Sequence, residues 1–366
     1  MDLKARRVLV RKLDDATESR EAFDHLLIAT GALPIRANVP GADARGIYGL
    51  SSLETGLAVR KAVDEEKPSR AVIVGGGYIG LEMAEALVLR GLKVSLVERA
   101  DQVMGTLDPD MGELVSRALM KIGVNLYRGE ALTGFEKESG KVRAVVTDKQ
   151  TLPADIVIMG LGVRPNSALA ESAGIPLGVR GSIKVNERMQ TPVDAVWAAG
   201  DCVESYHIVS RKPVNIALGT HANKQGRVAG VNLGGGYATF PGVVGTAVSK
   251  VCALEVARTG LQEREIKELG LEYIAAKIES STRAWYYPNA GRITVKILAE
   301  KGCGRLLGGQ IVGIEGAAKR IDVIATALHA GFTVRDMIHL DLSYAPPFSP
   351  VWDPVLLAAR KAVEML

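Results

Sequence analysis

The chain has 366 residues, which at roughly 150 residues per domain predicts two to three domains. Its 45 lysines and arginines against 41 aspartates and glutamates leave a net charge of +4, spread along the chain, whereas a dedicated nucleic-acid-binding protein usually has a clustered basic surface. With 47% hydrophobic and 23% charged residues, disorder is excluded, and the 40 glycines indicate tight turns and close approaches of backbone to a ligand.

The three cysteines, Cys202, Cys252 and Cys303, are odd in number and widely spaced, so they predict neither a disulfide framework nor a zinc site. A reducing cytoplasm is the expected location. The first residues form no apolar signal core, and no stretch reaches the ~18 apolar residues of a membrane span. We therefore expect a soluble protein with no membrane partner and no metal.

Segments rich in β-branched residues alternate with helical ones, which predicts α/β architecture. The predicted strands cover residues 6–11, 23–29, 71–74, 93–98, 141–147, 156–159, 193–199, 243–251, 272–279 and 292–299. The predicted helices cover residues 51–66, 78–90, 114–122, 218–230 and 316–330. Between them we expect a polar turn at 14–21, a connector rich in proline and glycine at 34–49, and a glycine loop that contains Gly302, Gly304, Gly308 and Gly309. The part after residue 242 is predicted to be a separate α+β domain.

The clearest motif is Gly75-x-Gly77-x-x-Gly80, which follows a buried strand and opens a helix. Gly75 permits the tight turn, Gly77 lets the backbone approach a pyrophosphate, and Gly80 lets the helix pack closely on the strand. The pyrophosphate is expected at the positive end of the helix, near Tyr78 and Ile79. This unit predicts dinucleotide binding.

Two carboxylates accompany this motif. Glu98 ends the next strand, where an acid can accept hydrogen bonds from a ribose diol. A carboxylate there repels a 2′-phosphate, so NADH is favoured over NADPH, although the adjacent Arg99 moderates the preference. Glu82 lies two residues past Gly80, and the residues alone leave it open between a helix N-terminal acid and a group near the nicotinamide.

A second signal is Trp197-Ala198-Ala199-Gly200-Asp201, in which a strand ends in small residues, a glycine and an acid. Such a strand end lets the backbone contact a ligand while the carboxylate of Asp201 binds a hydroxyl group. An ordinary strand-to-turn aspartate remains an equal alternative.

Several ordered motifs together resemble the flavin-dependent pyridine nucleotide-disulfide oxidoreductases. They are Leu27-Ile28-Ala29-Thr30-Gly31, the Gly75-x-Gly77-x-x-Gly80 turn, Gly162-x-x-Pro165-Asn166 and Ala199-Gly200-Asp201. Three more motifs are similar to the branch of CoA-disulfide reductases and NADH oxidases. They are His221-Ala222-Asn223-Lys224-Gln225-Gly226-Arg227, Trp285-Tyr286-Tyr287-Pro288 and Tyr344-Ala345-Pro346-Pro347-Phe348-Ser349 with Asp353-Pro354.

The resemblance implies an α/β fold with three parts: a Rossmann-like FAD domain, an inserted Rossmann-like NAD domain, and a C-terminal α+β dimerisation domain. The corresponding boundaries are 1–50 with 162–240, 51–161, and 241–366. The implied cofactors are FAD and NADH, and the implied assembly is a homodimer through the C-terminal domain. The implied acceptor of the electrons is a small-molecule disulfide, a polysulfide or oxygen.

The resemblance also implies roles for individual residues. For FAD they are Thr30 and Gly31 beside the cofactor, Gly200 and Asp201 at its ribitol and phosphate, and the helix start near Leu218 and Ala222 pointing at the flavin ring. The resemblance also adds Gly162 as a cofactor-binding residue, and it shifts Glu82 towards a role near the nicotinamide.

Tyr344 and Tyr286 resemble the tyrosines that reach into the active site of the partner subunit in this family. From the residues alone, either tyrosine is more often an aromatic of an interface or of the core than a catalytic group. Tyr344 is favoured of the two, because two prolines make its loop rigid.

The sequence departs from the family in three ways. Family members begin with a second strand-Gly-x-Gly-x-x-Gly-helix unit for the FAD pyrophosphate, which takes about 30 residues or more and does not fit before the Thr30 motif. They also carry a redox cysteine, whereas the first cysteine here is Cys202. Trp352 replaces a lysine found in many CoA-using relatives, which puts recognition of CoA phosphates in doubt.

We expect the printed sequence to be part of a longer gene product, with the FAD domain incomplete. The alternative is a shortened protein without flavin chemistry. The predicted activity is transfer of hydride from NADH through FAD to the acceptor, with disulfide turnover expected to fail in the chain as printed. The competing hypothesis is a catalytically silent, NAD-binding dimerisation module.

Overall fold

A computed structural model describes residues 1–366, which form 21 strands and nine α-helices. The strands are β1 (Arg7–Arg11), β2 (Glu18–Ala22), β3 (Leu26–Ile28), β4 (Ala32–Pro34), β5 (Ile47–Gly49), β6 (Arg70–Val74), β7 (Lys93–Glu98), β8 (Asn125–Arg128), β9 (Leu132–Glu138), β10 (Lys141–Thr147), β11 (Thr151–Pro153), β12 (Ile156–Met159), β13 (Val163–Pro165), β14 (Val196–Ala198), β15 (Ser205–His207), β16 (Lys212–Val214), β17 (Ala247–Val251), β18 (Leu254–Gly260), β19 (Tyr273–Ser281), β20 (Arg292–Glu300) and β21 (Leu306–Gly313). The helices are α1 (Leu53–Glu66), α2 (Tyr78–Leu89), α3 (Pro109–Lys121), α4 (Ala168–Ser172), α5 (Gly219–Leu233), α6 (Glu263–Glu268), α7 (Ala317–Ala330), α8 (Val334–Met337) and α9 (Pro354–Glu364).

The chain divides into two compact units. The first comprises Met1–Leu33 and Val163–Val243, and the second comprises Pro34–Gly162 and Val244–Leu366. None of the helices is both long and apolar enough to cross a membrane.

The second unit contains a parallel sheet of five strands in the order β5-β12-β6-β7-β8. Its central strand β6 is buried along four of its five residues, as expected when helices cover both faces of a parallel sheet. The predicted sequence of strand, glycine turn, helix and strand is confirmed by β6, α2 and β7. The sheet also includes β5, which pairs in parallel with β12. These backbone hydrogen bonds join residues 47–49 to the sheet.

The same unit contains an antiparallel sheet in the order β17-β18-β21-β20-β19, with α7 and α9 packed on it. The apolar core of the parallel sheet continues into this second sheet through Val251, Val256 and Val312. These valines lie in one cluster with residues of α1, α2, α3 and β6. The two sheets of this unit therefore share one hydrophobic core.

The first unit contains a parallel pair, β14 with β3, and two antiparallel hairpins, β1–β2 and β15–β16. Ile28, Val196 and Ala198 of the parallel pair are buried together with Cys202. Helix α5 contributes Val228 and Ala229 to a second small core.

Two local expectations from the sequence were wrong. Residues 18–21 belong to strand β2, not to a polar turn, because they pair with β1 while their side chains stay exposed. Gly308 and Gly309 lie inside β21, not in a loop. A Cβ on Gly308 would overlap the Leu261 backbone, so the close approach of two chain segments requires glycine there. Cys252 lies in the turn between β17 and β18 with φ 55°.

Candidate functional site

The glycine turn after β6 is shaped by close contacts between backbone segments. Gly75 has φ +105°, and a Cβ at this position would overlap the Gly160 carbonyl oxygen. A Cβ on Gly80 would overlap the Gly75 carbonyl oxygen, so the helix can approach the strand only with glycine there. A Cβ on Gly77 would meet no atom within 4 Å. Gly77 is therefore not required by packing, which leaves ligand approach as its physical reason. Gly160 follows β12 and faces this turn, and it was not among the site residues predicted from the sequence.

The N-terminus of α2 is open. Gly77 is the N-cap residue, and no side chain caps the helix. The backbone amides of Tyr78 and Ile79 have no acceptor within the helix, because the first amides of any helix lack an intrahelical partner. The Tyr78 hydroxyl accepts a hydrogen bond from Thr106 Oγ1 at 3.2 Å, which fixes this side chain beside the turn. Free amides at a helix N-terminus form a binding site for phosphate groups.

Glu98 lies beside the same turn at the end of β7. Its Oε2 accepts a hydrogen bond from the Gly76 amide at 2.7 Å, and its Oε1 accepts one from the Ala100 amide at 2.8 Å. Each carboxylate oxygen can accept a further hydrogen bond. The carboxylate is thus held in place by backbone while it keeps capacity for a hydroxyl donor.

Two further carboxylates on α2 contact the C-terminal antiparallel sheet. Glu82 is exposed, and its Oε1 accepts a hydrogen bond from Ser249 Oγ at 2.9 Å. Glu85 Oε2 accepts one from the Cys252 amide at 2.8 Å. These bonds give both acids a structural reason to be present. The assignment of Glu82 to the nicotinamide stays a prediction.

In the first unit, Gly200 and Asp201 follow β14 and face helix α5. The Gly200 amide donates to Gln225 Oε1 at 3.0 Å, and Gln225 is almost fully buried. Ala222 on α5 would contact a Cβ at Gly200 at 3.7 Å, so the strand end and the helix are in close proximity. Leu218 is the N-cap of α5, and no side chain caps this helix either.

The Thr30-Gly31 segment is joined to residue 166 by three hydrogen bonds. Thr30 Oγ1 donates to the Asn166 carbonyl at 2.5 Å, Asn166 Nδ2 donates to the Thr30 carbonyl at 3.2 Å, and the Asn166 amide donates to the Gly31 carbonyl at 2.9 Å. The two motifs that carry the family resemblance here therefore form one cluster. Gly162 belongs to the second unit, where its carbonyl accepts a hydrogen bond from the Ile35 amide at 2.9 Å.

Only part of FAD fits the first unit. The uncapped α5, Gly200 and Asp201 supply polar groups of the kind that a ribitol chain and a phosphate bind. Residues 1–33, in contrast, contain strands and turns but no helix, and no glycine turn leads from β1 or β3 into one. These residues therefore provide no glycine turn at a helix N-terminus for the FAD diphosphate, of the kind that α2 provides for a dinucleotide.

The cysteines are not arranged as a redox centre. Cys202 is fully buried, and its Sγ lies 3.3 Å from the Ala199 carbonyl oxygen, which it faces as a weak donor. Burial raises the pKa of the Cys252 thiol, which disfavours the thiolate that thiol chemistry requires. Cys303 is exposed, and all three thiols are free. Cys202 therefore packs as a small apolar side chain.

The two tyrosines proposed from the sequence come together in the second unit. Tyr286 lies between β19 and β20, and Tyr344 lies between α8 and α9. The neighbouring Tyr286 raises the pKa of Tyr344 above its ordinary value. Both rings are exposed, and Trp285 packs edge-on against Tyr286 with ring centroids 5.9 Å apart. Trp352 lies nearby in sequence, with the Arg360 guanidinium 4.7 Å from its ring centroid.

A buried ion cluster connects α3 to the antiparallel sheet. The ammonium of Lys296, whose side chain is 3% exposed, lies 3.0 Å from Asp108 Oδ2 and 2.7 Å from Asp110 Oδ1, and it also contacts Glu263. Burial alone would lower the pKa of Lys296, but hydrogen bonds to Asp110 and Glu263 and the charge of Asp108 hold it above its ordinary value. The three carboxylates lie close enough together to hold a cation, and Lys296 provides that charge.

Comparisons with known proteins agree with the motifs. The family model "Pyridine nucleotide-disulphide oxidoreductase" matches residues 1–226, and the model of the dimerisation domain of the same family matches residues 246–354. The NAD(P)H coenzyme A polysulfide/persulfide reductase of Pyrococcus horikoshii is 39% identical over 352 residues, which are 96% of this chain and 78% of that protein. The NADH oxidase of Methanocaldococcus jannaschii is 38% identical, with 96% of this chain and 78% of that protein covered.

Solved structures give the same result. The reduced CoADR-RHD protein of Bacillus anthracis has a TM-score of 0.96 and 36% identity, and the match covers 100% of this chain and 66% of that one. A NAD-dependent persulfide reductase from A. fulgidus has a TM-score of 0.96 and 40% identity, with 100% and 68% covered. The chain thus spans about two thirds of these solved chains. The predicted fold class, α/β with a C-terminal dimerisation domain, and the predicted family are confirmed. The chain belongs to the pyridine nucleotide-disulphide oxidoreductases.

Proposed function

We propose that this chain binds NADH at the N-terminus of α2 and acts in an oxidoreductase that uses NADH to reduce a small-molecule acceptor. The observation that carries the proposal is the turn at Gly75, Gly77 and Gly80, which presents free amides at an uncapped helix with Glu98 fixed beside it. The amides would bind the diphosphate and Glu98 the ribose hydroxyls. The names of the relatives support this class of activity.

NADH is proposed as the preferred cofactor over NADPH. Glu98 holds a negative charge where a 2′-phosphate would lie, and the carboxylate cannot easily turn away because two backbone amides bind it. Arg99 is exposed next to it and offers a cation that reduces the discrimination without removing it.

FAD is the family's second cofactor, and when bound it supplies a hydride acceptor and an electron donor. In this chain, Thr30, Gly31, Gly200, Asp201, Leu218 and Ala222 are proposed as its contacts at the ribitol and ring end. Gly162 is proposed as a further cofactor contact. Glu82 is proposed to lie near the nicotinamide, and Tyr344 and Tyr286 to position a proton donor towards the acceptor.

The proposed acceptors are a disulfide, a polysulfide or oxygen, because the relatives include a polysulfide/persulfide reductase, a coenzyme A disulfide reductase and NADH oxidases. The match to a dimerisation domain supports assembly into a homodimer through residues 241–366, and nothing in the charge distribution favours a nucleic-acid partner. Three free thiols support a reducing, cytoplasmic location.

A second candidate is a catalytically silent module that binds NADH and dimerises. In this candidate NADH binds at α2 without flavin chemistry, and the buried Cys202, the cysteine of the first unit, is compatible with it. The two candidates differ in flavin content, while both require a functional site at α2.

The deciding experiment measures flavin and NADH binding by the purified 366-residue chain. A yellow protein whose visible absorbance bleaches on addition of NADH supports the oxidoreductase. A colourless protein that still changes the fluorescence of NADH, with a change that saturates as binding is completed, supports the module. Failure to bind NADH would refute both. For any glycine-to-alanine variant of the turn at Gly75 to Gly80, the matched control is Gly56→Ala on α1. A Cβ there meets only the flexible end of Leu50 at 3.7 Å.

A further inference from the structure

One guanidinium in the C-terminal part of the chain joins three separate segments. Arg320 lies on α7 with its side chain 12% exposed. Its Nε donates to Asp353 Oδ2 at 2.8 Å, and its Nη2 donates to the Thr282 and Phe348 carbonyl oxygens, each at 3.0 Å. The arginine thus satisfies a buried carboxylate and two backbone acceptors at once.

The two backbone acceptors belong to the loops that carry the tyrosines. Thr282 begins the loop of residues 282–291, which contains Tyr286, and Phe348 lies in the loop of residues 338–353, which contains Tyr344. The two loops are joined again by a hydrogen bond of 3.1 Å from the Ala284 amide to the Pro346 carbonyl. Arg320 and this backbone bond together connect the two loops.

The surroundings are built for an arginine. Asp353 Oδ2 accepts the hydrogen bond from Arg320 Nε and a second one from Ser349 Oγ at 3.1 Å. Its Oδ1 caps α9 by accepting a hydrogen bond from the Val355 amide at 2.9 Å. Gly316 has φ +76°, and a Cβ there would overlap the Arg320 guanidinium. A lysine could not replace Arg320, because its single ammonium group cannot reach all three acceptors that the planar guanidinium contacts.

We propose that Arg320 is a positioning residue that holds the loop of Tyr286 and the loop of Tyr344 against each other at a fixed spacing. Its importance for turnover rests on the proposed function, which assigns these tyrosines to the acceptor. The spacing itself does not depend on that assignment, and it can be measured without flavin, NADH or acceptor.

The test compares Arg320→Lys with the wild-type chain by hydrogen exchange and mass spectrometry. Loss of the hydrogen bonds to a charged donor should make amide exchange about tenfold faster or more in residues 282–291 and 344–353 together, with little change elsewhere. Arg335→Lys is the matched control, because Arg335 is exposed on α8 and contacts neither loop. Faster exchange throughout the unit, or in one loop only, would overturn the proposal.

A spectroscopic readout follows the tyrosines directly. The phenolate absorbance of Tyr344 is obtained as the difference between each chain and its Tyr344→Phe derivative. In the wild type, Tyr344 should titrate above the ordinary value of about 10, because Tyr286 stabilises its neutral form. In Arg320→Lys the titration should move down towards that value. An unchanged titration would contradict the positioning role.

Asp353→Asn keeps the proposal testable if Arg320→Lys does not fold. The amide can still cap α9, but it removes the charge that fixes Arg320, so the same two loops should exchange faster by a smaller factor. Loops that stay protected in Asp353→Asn would count against the proposal. A chain that shows the loop effects but binds no NADH would refute the proposed function and leave the positioning role intact.

Discussion

Gly77→Ala separates ligand binding from folding more sharply than any other change in the dinucleotide turn. Gly77 has φ −84° and ψ −174°, which alanine adopts without strain, and the added Cβ would meet no protein atom within 4 Å. The folded chain should therefore lose at most about 1 kcal/mol of stability, the scale of a changed N-cap residue. The added methyl group nevertheless takes up open space at the N-terminus of α2, where the second glycine of such a turn lets the backbone approach a pyrophosphate.

The magnitude follows from one lost hydrogen bond. A bond from a backbone amide to a charged phosphate contributes about 1.5–3 kcal/mol, so its loss should weaken NADH binding by about 10- to 100-fold. Titration by NADH fluorescence gives the dissociation constant, and a thermal melt gives the stability. Gly80→Ala should behave in the opposite way, because its Cβ overlaps the Gly75 carbonyl and lowers stability by about 2 kcal/mol or more.

Gly56→Ala serves as the control for the substitution itself and should leave the NADH dissociation constant unchanged. If Gly77→Ala folds normally and binds NADH as tightly as the wild type, the diphosphate does not lie on the amides of α2. The argument from the open helix end would then be wrong.

Three more outcomes are expected. Glu98→Gln should weaken NADH binding by up to about tenfold and strengthen NADPH binding, because the charge that repels a 2′-phosphate is removed; an unchanged ratio of the two dissociation constants would refute this role. Lys296→Met should lower the free energy of unfolding by about 3–5 kcal/mol, since it leaves buried carboxylates without their cation. Burial raises the pKa of Glu263, but hydrogen bonds from Lys296 and Tyr273 outweigh it and hold the pKa below its ordinary value. This pair therefore stabilises the fold above about pH 4, and the gap between wild type and variant in urea melts should narrow as the pH falls below that. Finally, a thiol reagent should modify Cys303 rapidly and Cys202 only after unfolding; rapid labelling of Cys202 in the folded chain would contradict its burial.

The dinucleotide site was predictable because its physics is local in sequence. The run of Ala71, Val72, Ile73 and Val74 is buried as predicted, and Gly75 to Gly80 form the turn that the spacing indicated. Each of these features depends on residues within about 30 positions of one another, which is the length of one βαβ unit. Glu98 lies beside the turn for the same reason.

Features that depend on distant segments were not predictable in the same way. Gly308 was assigned to a loop because glycine is common in loops, yet it is required by the backbone of Leu261, which directly follows the neighbouring strand β18. Helix α9 was not predicted from the sequence. The role of Arg320 was not predictable either, because its hydrogen-bond partners are 28 to 38 positions away in the chain. Strand β2 was missed because none of its side chains is buried and its polar sequence shows no alternation.

The apolar continuity between α2 and the strands that carry Val251, Val256 and Val312 limits how this chain can be cut or recombined. An isolated nucleotide-binding fragment that ended near residue 241 would expose a hydrophobic face that is buried in the whole chain, and we expect this fragment to aggregate. Calorimetry of the second unit should accordingly record a single cooperative transition. Exchanging C-terminal parts between relatives would succeed only if these three valines and their neighbours were carried along.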